Sequence, residues 1–345
     1  MRRVSFGLVV SVSVLLACGQ ELPTCTQPNE KCALQNVKTF IQQNLDVQAT
    51  AAAELCAAAP TKAWSATADK AAIGAMKAAW KRSRPAYEHI EGAIAVLYPE
   101  LDVSIDERYD GFLEHESDTN LFDDQIVTGN HAIERILYAD ALPKFVIDFE
   151  KEALGGKYVA AAMPATVAEA NDFKTKLCGR WARETKQMRD DFAPLALDPA
   201  AAYRGVIGSM AEQLEKVKLA ASGEEESRYA QFTLNDMRAN LEAGKKTWAA
   251  FKPWLETKTN GSHVAGEIDA AFARIDALYA SYTGDSIPQP PATWSSITPT
   301  ETDQQTPFGK LFVGLRAEAD DKTDGTLVFE LTESAELLGI PQLPE

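Results

Sequence analysis

The chain has 345 residues, 46% of them hydrophobic, enough for one large or two modest domains with a full core. Fifty acidic residues against 34 Lys and Arg give a formal net charge of -16. That balance argues against nucleic acid and anionic lipid headgroups as partners, and suits solubility and cationic partners.

The amino terminus carries an export signal. Met1-Arg2-Arg3 is a basic start, Val4 to Val14 is a short apolar run, and Leu15-Leu16-Ala17 precedes Cys18. This is too short for a membrane span and has the layout of a secretory signal over residues 1–17. Ending on Leu-Ala-Cys, it resembles the lipobox of bacterial lipoproteins, which implies lipidation of Cys18 and anchoring to a membrane through acyl chains. The expected location is the bacterial cell envelope, facing the periplasm. Gly19 after the cysteine favours the outer membrane over the inner.

Residues 18–32 read as a lipidated cysteine and tether, with Pro23 and Pro28 and no periodicity. With Cys18 acylated, Cys25, Cys32, Cys56 and Cys178 remain, an even count that in an exported chain reads as two disulfides with three connectivities. The working expectation pairs Cys25 with Cys32 near the tether and Cys56 with Cys178 across helices.

From residue 33 to 345 the pattern is helical almost throughout. Ala, Leu, Glu and Lys dominate, and apolar residues recur every three or four positions. Helices are predicted near 33–57, 66–98, 120–140, 143–153, 164–193, 200–221, 226–256, 262–283 and 304–321. Pro60, Pro99, Pro194 and Gly223 mark stops. Residues 284–299 read as a Pro-rich loop, 326–331 as a short strand, and 332–338 as helical again. Long helices with short links make antiparallel neighbours, so the expected fold is all-α: a pair of packed four-helix bundles, near 33–155 and 160–345.

Three segments carry chemistry. On the second predicted helix, Arg84-Pro85-Ala86-Tyr87-Glu88-His89-Ile90-Glu91 places Glu88 and Glu91 three residues apart, on one helical face. Ile90, Ile94 and Leu97 indicate that this helix is packed, so its carboxylates call for a compensating cation. Next comes a dense acidic loop from Glu100 to Asp110, in which Asp102 and Asp106 are hard oxygen donors. The third segment is Thr128-Gly129-Asn130-His131-Ala132-Ile133-Glu134. His131 and Glu134 lie about 300° apart on the helical wheel, hence nearly on one face, and an imidazole with a carboxylate is a ligand pair that iron, zinc and manganese accept. Taken singly, each pair also fits a solvated or hydrogen-bonded surface role.

These blocks, followed by Ser222-Gly223-Glu224-Glu225-Glu226-Ser227-Arg228-Tyr229 and Thr233-Leu234-x-Asp236-x-x-Ala239-Asn240, resemble the imelysin family, and within it the EfeO/EfeM-type periplasmic iron-uptake proteins. The resemblance spans about residues 80 to 244. It implies two four-helix bundles, a metal site around H-x-x-E, and iron capture for uptake through an inner-membrane permease system. Carried over by position, His131, Glu134, Glu88 and Glu91 are metal ligands, and Asp102 and Asp106 further candidates. Arg84 and Tyr87 are expected to orient carboxylates, and Asp236 and Asn240 to make a structural polar contact between bundles. Asn130 stands where an aromatic residue is usual, His89 where a basic one is, and no cupredoxin-like domain precedes the helices.

The family was named for a proposed proteolytic activity, so a metal-dependent peptidase is the alternative. Such chemistry needs a base beside the metal-bound water. Here Ala132 follows His131 and no second histidine lies four residues on. A non-enzymatic metal carrier is therefore the expected function, with no nucleic-acid partner.

Overall fold

The structure is a computed structural model that describes residues 24–106, 118, 120–223 and 226–343. The expected export signal, Cys18 and the acidic residues Glu107 and Asp110 lie outside the described residues. Among those described, every regular element is helical, as the sequence pattern predicts.

Helix α1 (Glu30–Ala58) starts where the Asn29 side chain accepts the Cys32 amide, and it buries Val37, Ile41, Leu45, Ala52 and Leu55. It packs on α2 (Lys70–Glu88) and on α8 (Cys178–Phe192). Disulfides join Cys25 to Cys32 and Cys56 to Cys178, with Cα–Cα distances of 5.3 and 5.6 Å. The second ties α1 to α8. The expected division at 155–160 would assign α8 to the second bundle, yet it packs against α1, α4 (Pro99–Ile105) and α5 (Gly129–Leu137). Helix α6 (Lys144–Leu154) and the single short helix α7 (Val167–Asp172) link these parts, α7 running through a π-helical turn at Phe173–Leu177 into α8.

The second group comprises α9 (Pro199–Ser222), α10 (Thr233–Leu255), α11 (Gly261–Ala280), α13 (Pro307–Glu318) and α14 (Leu327–Leu338), with α12 a single turn at Glu301–Gln304. Helix α10 touches α1 and α2 as well as α9 and α11, so it lies at the junction. Apolar residues of both groups belong to one continuous core.

Five elements differ from the sequence expectation. The helix predicted near 120–140 forms only from Gly129 to Leu137, as α5, with turns on either side of it. The predicted helix 66–98 is broken: α2 ends at Glu88, and α3 (Glu91–Leu97) begins after a tight turn in which the Ile90 amide donates to the Tyr87 carbonyl. At this break Gly92 meets Gly205 of α9 so closely that a Cβ on Gly205 would lie 1.9 Å from the Gly92 carbonyl oxygen. The acidic segment expected as a loop is helical from Pro99 to Ile105, with Pro99 in the first turn, where its missing amide costs nothing. The helix expected from 226 begins only at Thr233, leaving Glu226–Phe232 as a turn. Finally, 326–331 is no strand. Leu327, Val328, Leu331, Ala335 and Leu338 are all buried, a helical spacing that overrides the local β-branched character.

Candidate metal centre

The centre forms where α2, α5, α9, α10 and the Glu226–Phe232 turn meet. Arg84 on α2 is fully buried, and its guanidinium reaches four carboxylates. It pairs with Glu88 one turn on and with Asp106 at the end of α4, lies 2.8 Å from Glu226 and, through Nε, 3.4 Å from Asp236 of α10. Burial alone would strip its charge, but Asp106, Glu88, Asp236 and Glu226 together raise its pKa further above the ordinary range.

Lys216 of α9 is the second buried cation. Its Nζ sits 3.2 Å from Glu88 Oε2, 3.3 Å from Glu226 Oε2 and 3.5 Å from Glu91 Oε2. Desolvation opposes the ammonium, and these three carboxylates outweigh it and raise its pKa. Although the helix breaks between Glu88 and Glu91, both carboxylates still converge on this one amine. Asn240 holds the break together, donating to the Glu88 carbonyl (2.9 Å) and to Glu91 Oε2 (3.0 Å).

Gly129 explains how His131 arrives. Its φ of +84° is left-handed, and a Cβ there would lie 2.7 Å from the Ile105 carbonyl oxygen, so glycine alone lets the start of α5 rest on the end of α4. This contact sets His131 against Asp106. His131 Nε2 lies 3.5 Å from Asp106 Oδ1 and 3.8 Å from Glu226 Oε1, while Nδ1 lies 2.8 Å from Glu134 Oε2. Asn130 Nδ2 is 3.4 Å from Asp106, and Trp80 donates to the Asn130 carbonyl at 3.2 Å, fixing α5 against α2.

Two overlapping sets of donor atoms result. Asp106, His131 and Glu226 form one, and Glu88, Glu91, Asp106 and Glu226 the other, with the donor atoms of each set within 4.8 Å of one another. Four of the six sequence candidates, Glu88, Glu91, Asp106 and His131, are thus brought together. Glu134 stands one step out: Oε2 faces His131, and Oε1 accepts the Ala230 amide at 2.6 Å. Asp102 accepts the Tyr87 hydroxyl and belongs to neither set. Asp236, expected as a structural contact, accepts from Ser227 and faces Arg84.

Glu226 and Lys216 carry no local signal of their place in the centre. Glu226 lies inside an acidic triplet just after the helix-ending Gly223, but nothing local separates it from Glu224 and Glu225. Lys216 looks like any helical lysine, and only its neighbours mark it.

Carboxylates outnumber cations here, so protons are held. Burial pushes the carboxyls of Glu88, Asp106 and Glu134 well above their usual range, and that of Asp236 up to about 6. Buried oxygens competing for too few positive charges, beside an imidazole nitrogen, favour a hard or borderline metal cation.

The imelysin family model, which carries a peptidase label, matches residues 41–312, most of the chain. The chain belongs to the imelysin family. Among curated relatives it is similar to "Iron uptake system component EfeO" of Escherichia coli (strain K12), 26% identical over 222 residues, which cover 64% of this chain and 48% of the relative. The protein of the same name from Escherichia coli O1:K1 / APEC is 28% identical over the same shares, and that of Shigella flexneri 26%. The chain therefore spans about half the length of the curated relatives it matches. The helical architecture agrees with the all-α fold of the imelysin family.

Proposed function

We propose that this chain is a cell-envelope iron-binding protein that captures iron for uptake. The observation that carries this is the convergence of Asp106, His131 and Glu226, with Glu88 and Glu91 adjoining, in a buried cluster where carboxylates exceed fixed cations. Carboxylate oxygens with one imidazole nitrogen suit iron, and the EfeO proteins it resembles are named for iron uptake. Glu134 orients the imidazole: with the Nδ1 proton donated to its carboxylate, the Nε2 lone pair is turned towards Asp106 and Glu226. Asp102 acts at a distance, through Tyr87. The export signal and lipid on Cys18 would hold the protein at the periplasmic face of a membrane, the outer one favoured. There it would pass iron towards an inner-membrane permease. No helix among the described residues is long and apolar enough to cross a membrane, so attachment would rest on the lipid.

Iron uptake by the chain carrying Cys18→Ser, measured by calorimetry and elemental analysis, tests this. His131→Ala and Glu226→Ala should each weaken binding at least about tenfold, the effect of losing one ligand's interaction of about 1.4 kcal/mol or more. Equal uptake by wild type and both variants would sink the proposal. The peptidase label of the family supplies one further arm. Cleavage of an unfolded protein that needs metal and is lost in Glu134→Ala would replace carriage with proteolysis.

A further inference from the structure

The two donor sets share Asp106 and Glu226, an arrangement that could bridge a pair of metal ions. Two-metal sites place their ions about 3.5–4 Å apart, joined by shared ligands. In this chain the second position already holds a cation. The Lys216 ammonium is buried to 2% exposure, and its three protons face three carboxylates drawn from α2, α3 and the Glu226–Phe232 turn. Distances of 3.2, 3.3 and 3.5 Å are those of an ammonium among oxygens. A small metal ion would instead draw such oxygens to about 2 Å.

We infer that Lys216 is a built-in cation that fills the Glu88–Glu91–Glu226 position and limits the centre to one captured ion. Glu226 shows the division of labour. Its Oε2 faces Lys216, while Oε1 faces Arg84 and His131. Remove the ammonium and three carboxylates lose the lysine they share, opening a position of the right donor type. Burying an ammonium costs several kcal/mol before its partners repay it, so a lysine whose sole task was to fill space would be better replaced by methionine. Helix α9, which carries Lys216, packs on α3, which carries Glu91. Arg84 pairs with Glu88 and Glu226 too, but it is Lys216 that also reaches Glu91.

The inference rests on the iron-binding reading above, and counting bound ions separates the two. Native mass spectrometry and elemental analysis of the Cys18→Ser chain, loaded with Fe2+ without oxygen or with Mn2+, should find one ion in wild type. Lys216→Met should bind two, and adding Glu91→Gln to it should return the count to one. Lys216→Gln, which keeps most of the stem, takes the place of the methionine variant if that variant does not fold. One ion in both wild type and the Lys216 variant overturns the inference alone, as does two ions in wild type. No ion in either removes the iron-binding reading, and the inference with it.

Discussion

The interior around Arg84 and the interior between α11, α13 and α14 are both built from packed helices, yet they are filled with opposite materials. Ile268, Phe272, Phe308, Phe312, Leu315 and Leu331 fill the second, all at 3% exposure or less. In the first, Arg84, Lys216, Glu88, Glu134, Glu226 and Asp236 are just as deeply buried. An apolar interior is stable by itself, because each methylene removed from water contributes about 0.8 kcal/mol. A charged interior is stable only while every charge is answered, so it responds to whatever supplies or removes charge. The carboxylate surplus therefore gives the protein a region whose stability depends on how its charges are answered, beside one whose stability does not.

The largest effect that could break this contrast comes from one substitution in each interior. Phe312→Ala and Arg84→Met should each cost about 3–5 kcal/mol, the first as a cavity and the second as carboxylates left without their partner. Urea unfolding with and without iron distinguishes them. Iron should raise the stability of Phe312→Ala only by the wild-type increment, and should recover a larger share in Arg84→Met, where the ion answers charge that arginine no longer does. An identical iron increment in both would show the two interiors to be energetically alike.

A smaller effect sharpens the assignment of Glu134. Because its carboxylate meets His131 and the Ala230 amide and lies outside both donor sets, Glu134→Gln should lower iron affinity by about 10–100-fold, as loss of an orienting partner does, without changing the number of ions bound. Competition against a coloured chelator measures it. A change in ion count would place Glu134 on the metal itself.

The smallest effect is pH dependence. Asp236 is raised by burial to about 6, so between its unfolded value and about 6 the folded chain holds a proton that the unfolded chain has released. Its contribution to stability is therefore present in acid and is lost as pH rises through that window. Metal-free wild type should lose a few degrees of Tm between pH 4.5 and 6.5 relative to Asp236→Asn, a shift equivalent to about 1 kcal/mol. Parallel curves for the two would show that this carboxyl is not the titrating one.

Much of this organisation is legible along the chain. The buried positions of α1, from Val37 to Leu55, repeat at the spacing the periodicity predicts, and Glu88, Glu91, Asp106 and His131 stand out because they combine ligand chemistry with packed surroundings. What escaped has identifiable causes. The break after Glu88 lies beside the close meeting of Gly92 with Gly205, residues more than a hundred positions apart, a contact that local periodicity does not report. Glu226 is one of three consecutive acids, and its selection depends on Arg84 and Lys216 reaching it from two other helices.

By itself, then, the sequence determines an all-helical chain, its apolar faces, five cysteines and a short roll of candidate ligands, because helix periodicity and side-chain chemistry are local properties. Which faces meet is not local. Only the packed fold decides that Glu226 joins the donor atoms, that Glu134 stands behind His131, and that Lys216 lies among carboxylates. Each of these depends on several helices excluding water from one small volume, and burial is what turns ordinary charged residues into a centre that needs a cation.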